Sequence, residues 1–125
     1  ADRYRANEKV AADALFRAGM AYNKQAKKAE YDQSKTVQAI DTLSDFLVLF
    51  PGDQRGAEAE AAIAALREER ARGSFEVARF YEKRGRWAGA LVYYNETIVL
   101  GPESPYAAEA RERLEAALHR VGSAA

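Results

Sequence analysis

The chain has 125 residues, a length that fits one domain of ordinary size with a sizeable core. Hydrophobic residues make up 48% and charged residues 30%, a balance that is typical of a folded helical protein and excludes a disordered one. Nineteen basic residues balance nineteen acidic ones, which argues against nucleic-acid binding, and the absence of cysteine excludes disulfides and thiolate chemistry.

Strong helix formers dominate the chain, and all three prolines lie between helical segments, so we predict an all-α protein. No apolar run approaches the ~18–20 residues that a bilayer-spanning helix needs. The predicted helices are Asp2–Lys28, Lys35–Phe50, Arg55–Arg84, Trp87–Leu100 and Ser104–Val121.

Apolar spacing predicts which face of each helix is buried. The first helix is expected to bury Leu15, Ala18, Met20 and Tyr22, and the second Val37, Ile40, Leu43, Phe46, Leu47 and Phe50. Between the second and third helices, "GDQRG" lacks the residues of a phosphate loop, and we expect Gly52 to be a C-cap glycine.

Two further boundaries are marked by small residues. Gly73-Ser74 predicts a kink or break in the third helix, because glycine costs about 1 kcal/mol in a helix interior. Ser104 followed by Pro105 predicts an N-cap and a first helical residue for the last helix.

Two segments of the chain repeat each other. "AIDTLSDFLVLFPGD" (39–53) aligns with "ALVYYNETIVLGPES" (90–104) at an offset of 51 residues, and "RAGMAY" (17–22) resembles "VARFY" (77–81). A small residue, an aromatic three positions later, an Ala that opens the second helix and a closing Pro are typical of the tetratricopeptide repeat. We therefore predict antiparallel helix pairs stacked as a solenoid.

Small residues at the expected crossings let the paired helices approach closely. They are Gly19 and Ala39 in the first repeat and Ala78 and Ala90 in the second. The second repeat has regular spacing, whereas the first holds about eight inserted residues around "KKAEYDQS". We expect one domain over 1–125: repeat one at about 14–53 with an inserted turn at 26–34, a long linking helix at about 55–84, repeat two at about 71–104, and a capping helix at 104–121.

The order of these elements resembles the carboxy-terminal part of the BamD-type (ComL-like) lipoproteins of outer-membrane β-barrel assembly. The resemblance covers about Ala14 to Leu114 and is carried by "YDQS", "FPGD", "VARFYEKRGRWAGAL" and the spacing to Pro102. The family's amino-terminal repeats and lipidated cysteine are not in this sequence, and Tyr93 and Asn95 stand where a basic helix face is expected.

No residue set predicts catalysis, a cofactor or a metal site. His119 is the only histidine and has no cysteine, second histidine or carboxylate cluster beside it in the sequence. Carboxylates such as Glu68 and Glu69 alternate with arginines, as on solvated helix faces. We therefore predict that the protein is not an enzyme.

Aromatic residues crowd into the segment between Phe75 and Tyr94. We expect Phe80, Tyr81, Trp87 and Tyr94 to be core residues of the second repeat. Exposed Tyr and Arg side chains are common at interfaces, so the predicted partner-binding residues are Arg84, Arg86, Tyr93 and Glu96.

The resemblance implies a non-catalytic scaffold at the periplasmic face of the outer membrane, held there by a lipid anchor outside this sequence. The implied partner is the periplasmic POTRA region of the barrel-assembly channel, with other assembly lipoproteins or unfolded barrel precursors as further partners. Two alternatives stay open. A peptide-binding tetratricopeptide adaptor would grip extended segments of unfolded clients. An amphipathic membrane-surface helix at the amino terminus is the weaker alternative, because Tyr4 with Arg3, Arg5 and Lys9 offers too little apolar face.

Overall fold

The computed structural model of the chain describes residues 2–28 and 32–124. Five α-helices are present in these residues, without any strand: α1 Asp2–Lys28, α2 Gln33–Leu49, α3 Gly56–Lys83, α4 Trp87–Leu100 and α5 Pro105–Ala124. The all-α, tetratricopeptide-like fold class is confirmed, and the predicted bounds of α1 and α4 match at both ends.

The chain forms two compact units, residues 1–66 and 67–125, and α3 contributes to both. In the first unit α1 packs against α2 as a helix pair. The crossing point is Gly19, where an added Cβ would lie 2.5 Å from Leu43 Cδ2. Only a residue without a side chain lets the two helix backbones come this close.

Tight packing between helices defines the core of the first unit. Phe16 and Phe46 meet with ring centroids 5.3 Å apart, and the amino-terminal part of α3 contributes Ala59, Ile63 and Leu66. The remaining buried members of this core are Ala12, Ala26, Ala39, Ile40 and Leu43.

Several packing predictions for the first unit were wrong. Ala18 and Val37 are exposed, because the buried face of α1 runs through Ala12, Phe16 and Gly19 and that of α2 through Thr36 and Ala39.

Gly52 is not a C-cap: Phe50 caps α2, and its backbone N–H donates to the carbonyl of Phe46. Of the predicted inserted turn at 26–34, residues 29–31 lie outside the described residues.

The turn between α2 and α3 is fixed by one arginine. Arg55 donates to both carboxylate oxygens of Asp53, at 3.0 Å each, and to Asp13 Oδ1 of α1 at 2.9 Å. Its guanidinium also lies over the Phe16 ring, 4.9 Å from the centroid. The "GDQRG" segment is therefore a structural link that ties the turn to α1.

In the second unit the carboxyl-terminal part of α3 packs with α4 and α5. The core is formed by Phe75, Ala78, Ala90, Tyr94 and Ala110. Of the predicted kink or break at Gly73-Ser74, the break was wrong, since α3 continues through both residues. Burial of Ala71, Phe75 and Ala78 on one face holds this stretch helical and outweighs the low helix propensity of one glycine.

The start of α5 confirms the predicted cap. Ser104 Oγ accepts a hydrogen bond from the Ala107 backbone N–H at 3.2 Å and donates to the Gly101 carbonyl at 2.7 Å. Pro105 is the first helical residue. The start of α2 lies two residues before the predicted one, because Asp32 acts as its N-cap and accepts from the Lys35 N–H.

Candidate functional site

Two of the predicted partner-binding residues, Arg84 and Arg86, lie in the turn between α3 and α4, and the other two, Tyr93 and Glu96, lie on α4. Gly85 makes this turn with φ 71°, a conformation that favours glycine. Gly89 then lets α4 approach α3, because an added Cβ there would lie 2.9 Å from Tyr81 Cδ1. The position of Tyr81, and of the residues beside it on α3, is therefore fixed by close packing.

A partly buried hydrogen-bond network links α3, α4 and α5 in this unit. The Tyr94 hydroxyl, on a fully buried side chain, donates to Glu82 Oε1 at 3.0 Å. Arg113 of α5 donates to the other oxygen, Glu82 Oε2, at 2.8 Å. Burial and the neighbouring Glu82 carboxylate raise the pKa of Tyr94 to about 12, so the phenol stays protonated as a donor at neutral pH.

A stripe of four residues, here called the Phe80 stripe, lies on the solvent side of α3 and the turn that follows it. Its members are Gly73, Val77 and Phe80 of α3 and Arg84 of the turn. The three α3 residues lie within about 60° of one another at the ~100° per residue of an α-helix. The Phe80 side chain is 50% exposed and Val77 is 38% exposed. An open groove of about 400 Å³ is lined by Gly73, Glu76, Val77, Phe80 and Tyr81.

Arg84 covers the exposed aromatic ring at one end of the stripe. Its guanidinium lies 3.5 Å from the Phe80 ring centroid, and its Nη1 donates to the Phe80 carbonyl at 3.2 Å. No ion pair found among the described residues involves Arg84. The remaining N–H groups of the guanidinium are therefore available to an external carboxylate.

The four predicted residues do not form one exposed patch. Arg84 and Arg86 are exposed, whereas Tyr93 is half-buried and stacks on Tyr81 with centroids 5.6 Å apart. Glu96 is exposed but accepts a hydrogen bond from the buried Ser74 hydroxyl at 2.9 Å. Tyr93 therefore packs against the Tyr81 ring. Of the four predicted residues, Arg84 and Arg86 are the ones that present exposed cationic groups.

The residue that sequence reasoning missed is Phe80, which was expected in the core. Tyr81 packs against α4, and Phe80 meets it edge-on at 5.8 Å while facing outward. Trp87, also expected in the core, is half-buried and lies beneath the Arg120 guanidinium at 5.2 Å. The four-, three- and four-residue steps of the Phe80 stripe were the available signal, because such steps predict one helix face.

Two acidic side chains of α3 pair with one arginine of the same helix. Glu76 and Glu69 flank Arg72 at 2.6 and 2.9 Å, and His119 is exposed on α5. Across residues 2–28 and 32–124, no group of three or more His, Cys, Asp or Glu side chains is arranged to hold a metal ion.

The sequence model of the YfiO family, described as outer membrane lipoprotein, matches residues 3–124. The chain belongs to this family. No curated protein matches the chain. None of the helices formed by the described residues of this chain is long and apolar enough to cross a membrane. Membership indicates an outer-membrane lipoprotein role.

Proposed function

We propose that this chain is a non-catalytic scaffold that binds the periplasmic POTRA region of the β-barrel assembly channel at the outer membrane. It is further proposed to be the carboxy-terminal tetratricopeptide part of its family's proteins, acting as one domain at the periplasmic face. A lipid anchor outside this sequence would hold it there. The observation that supports the binding role best is the solvent-exposed Phe80 side chain with Arg84 stacked on it.

The stripe has the chemistry of a protein-binding anchor. Aromatic and arginine side chains carry a large share of the energy in protein interfaces. Phe80 presents half of its surface to solvent, and its ring meets Tyr81 of α3, which stacks in turn on Tyr93 of α4. A partner that covers this ring therefore gains apolar burial without reordering the helix beneath.

The other predicted residues take supporting places in this proposal. Arg86 lies in the α3–α4 turn, where its backbone N–H donates to the Tyr81 carbonyl at 3.0 Å and its side chain is exposed. Arg86 and Glu96 would give polar contacts at the rim, which favour specificity more than affinity. Tyr93 would contribute indirectly, by holding the Tyr81 ring in place beside Phe80.

A retention experiment tests this function. The immobilised POTRA region should retain the wild-type chain, and Phe80→Ala should weaken binding by at least ~1 kcal/mol, the size expected for an interface anchor. Arg86→Ala and Tyr93→Ala should each weaken it as well. Lys24→Ala, at an exposed position on α1, is the matched control and should bind like the wild type.

Two results would count against the proposal. Failure of the wild-type chain to bind at tens of micromolar would refute the scaffold role. Retention of extended client peptides, without retention of the POTRA region, would favour the alternative of a peptide-binding tetratricopeptide adaptor, for which the open groove along α3 is the supporting feature.

A further inference from the structure

Gly73 is a glycine that the fold itself does not require. It lies inside the 28-residue helix α3, where glycine is less favourable than alanine. Its φ is not positive, and an added Cβ would meet nothing within 4 Å. Gly19 and Gly89 differ, because a Cβ at either position would come within 3 Å of a packed side chain.

The missing side chain at Gly73 leaves a notch at one end of the groove. Glu76, Val77 and Phe80 line the groove beside it, so its apolar wall is formed by the two exposed hydrophobic members of the Phe80 stripe. A notch of this kind on a helix surface admits an apolar side chain from outside, as a knob enters a hole between neighbouring residues.

The charges around the groove leave its far end positive. Glu76 stands beside the notch but is paired with Arg72 at 2.6 Å. Arg84 has no carboxylate partner among the described residues, and its guanidinium lies over Phe80. The exposed Lys83 lies one turn from Phe80 and adds a second cation. Charge complementarity therefore favours an acidic group at this end.

We infer that the Phe80 stripe binds a partner segment in which an apolar side chain enters the notch at Gly73 and an acidic side chain pairs with Arg84. Seven residues separate Gly73 from Phe80, which is about 10 Å along the helix axis. In an extended segment, side chains alternate between two faces, so residues four positions apart share a face and lie about 13 Å apart. This spacing suits one side chain at Gly73 and another at the Arg84 guanidinium, which lies over Phe80. The inference rests on the proposed scaffold function, since it defines what the scaffold recognises in its protein partner.

A labelled peptide provides the direct test. The probe is a fluorescein-labelled Gly-Ser-Thr-Leu-Ser-Thr-Ser-Glu-Thr-Gly, which places Leu and Glu four positions apart, on one face of an extended peptide. Its anisotropy should rise on titration with the chain, at concentrations up to about 1 mM. Replacing Glu by Lys, or Leu by Ser, in the peptide should weaken binding at least fivefold. Absence of binding by the Leu/Glu peptide would overturn the inference.

Variants of the chain separate binding from folding. Gly73→Leu fills the notch with a strong helix former, so its thermal midpoint should not fall, while peptide binding should drop at least tenfold. Arg84→Glu should also weaken peptide binding at least tenfold. The matched charge reversal Lys24→Glu, on α1, should leave peptide binding unchanged. If Gly73→Leu binds the peptide as well as the wild type does, the notch has no role and the inference fails.

The same variants separate this inference from the scaffold function. Retention of both wild type and Gly73→Leu by the POTRA region would refute the inference and leave the function standing. If peptide binding requires Gly73 but the POTRA region does not retain the chain, the inference is supported and the scaffold function is refuted. The chain could also be tested for binding to phosphatidylglycerol vesicles and for self-association. If Gly73→Leu abolishes either one, the stripe belongs to a lipid-binding surface or to an interface with a second copy, and the inference is overturned.

Discussion

Two helical glycines should respond in opposite ways to the same substitution. Replacing glycine by alanine inside a helix gains about 1 kcal/mol from helix propensity. At Gly73 nothing opposes this gain, because the new Cβ meets no atom within 4 Å. At Gly19 the Cβ would lie 2.5 Å from Leu43 Cδ2 and 2.7 Å from Leu43 Cγ. Since Leu43 is fully buried, its displacement should cost about 1–3 kcal/mol, as overpacking does.

The predicted free energies of unfolding follow from these two contributions. Gly73→Ala should stabilise the chain by about 1 kcal/mol, and Gly19→Ala should change stability by between about 0 and −2 kcal/mol once propensity and overpacking are combined. Urea unfolding followed by circular dichroism at 222 nm measures both. In a Leu43→Ala background, Gly19→Ala should cease to destabilise. Equal stabilisation by Gly19→Ala and Gly73→Ala would refute the close approach of α1 and α2.

Three further changes test the second unit and the α2–α3 turn. Tyr94→Phe removes the hydrogen bond to the Glu82 carboxylate and should destabilise by about 1.5 kcal/mol; an unchanged urea midpoint would show that the bond is not made. Ser104→Ala removes the N-cap of α5 and should cost about 1 kcal/mol, whereas Ser123→Ala on exposed α5 surface should be neutral. Arg55 donates to Asp53 and holds the pKa of that carboxyl down at about 2, below its usual 3.8. The stabilisation is therefore complete above pH ~4 and lost as the pH falls toward ~2. The stability gap between wild type and Asp53→Asn should close over that interval, and a gap independent of pH would contradict the assignment.

The repeat alignment predicted the packing of both units well. Ala39 and Ala90 align with each other, as do Leu43 and Tyr94, and all four side chains are fully buried. Small residues at a helix crossing and bulky residues one turn later impose a local steric requirement, so their spacing is visible in the sequence. The same holds for the cap at Ser104, which depends on residues only three positions away.

Contacts between distant residues could not be predicted in this way. Glu82 and Arg113 are 31 residues apart, and Asp13 and Arg55 are 42 apart. No local pattern marks either pair, because such pairs depend on how the helices are rotated about their axes.

The same rotation explains the error at Phe80. Neighbouring positions on a helix point about 100° apart. Tyr81 packs beneath Gly89, which leaves Phe80 50% exposed. Adjacent aromatic residues therefore cannot both be assigned to the core from composition alone, and the exposed one became the centre of the candidate site.

The most direct test of the scaffold account is a nuclear magnetic resonance titration of the ¹⁵N-labelled chain with the unlabelled POTRA region. We expect the amide signals of Gly73, Val77, Phe80, Arg84 and Arg86 to change first, and Arg84→Glu to remove the change. Amide changes confined to α1 and α2, or none at tens of micromolar POTRA region, would contradict it.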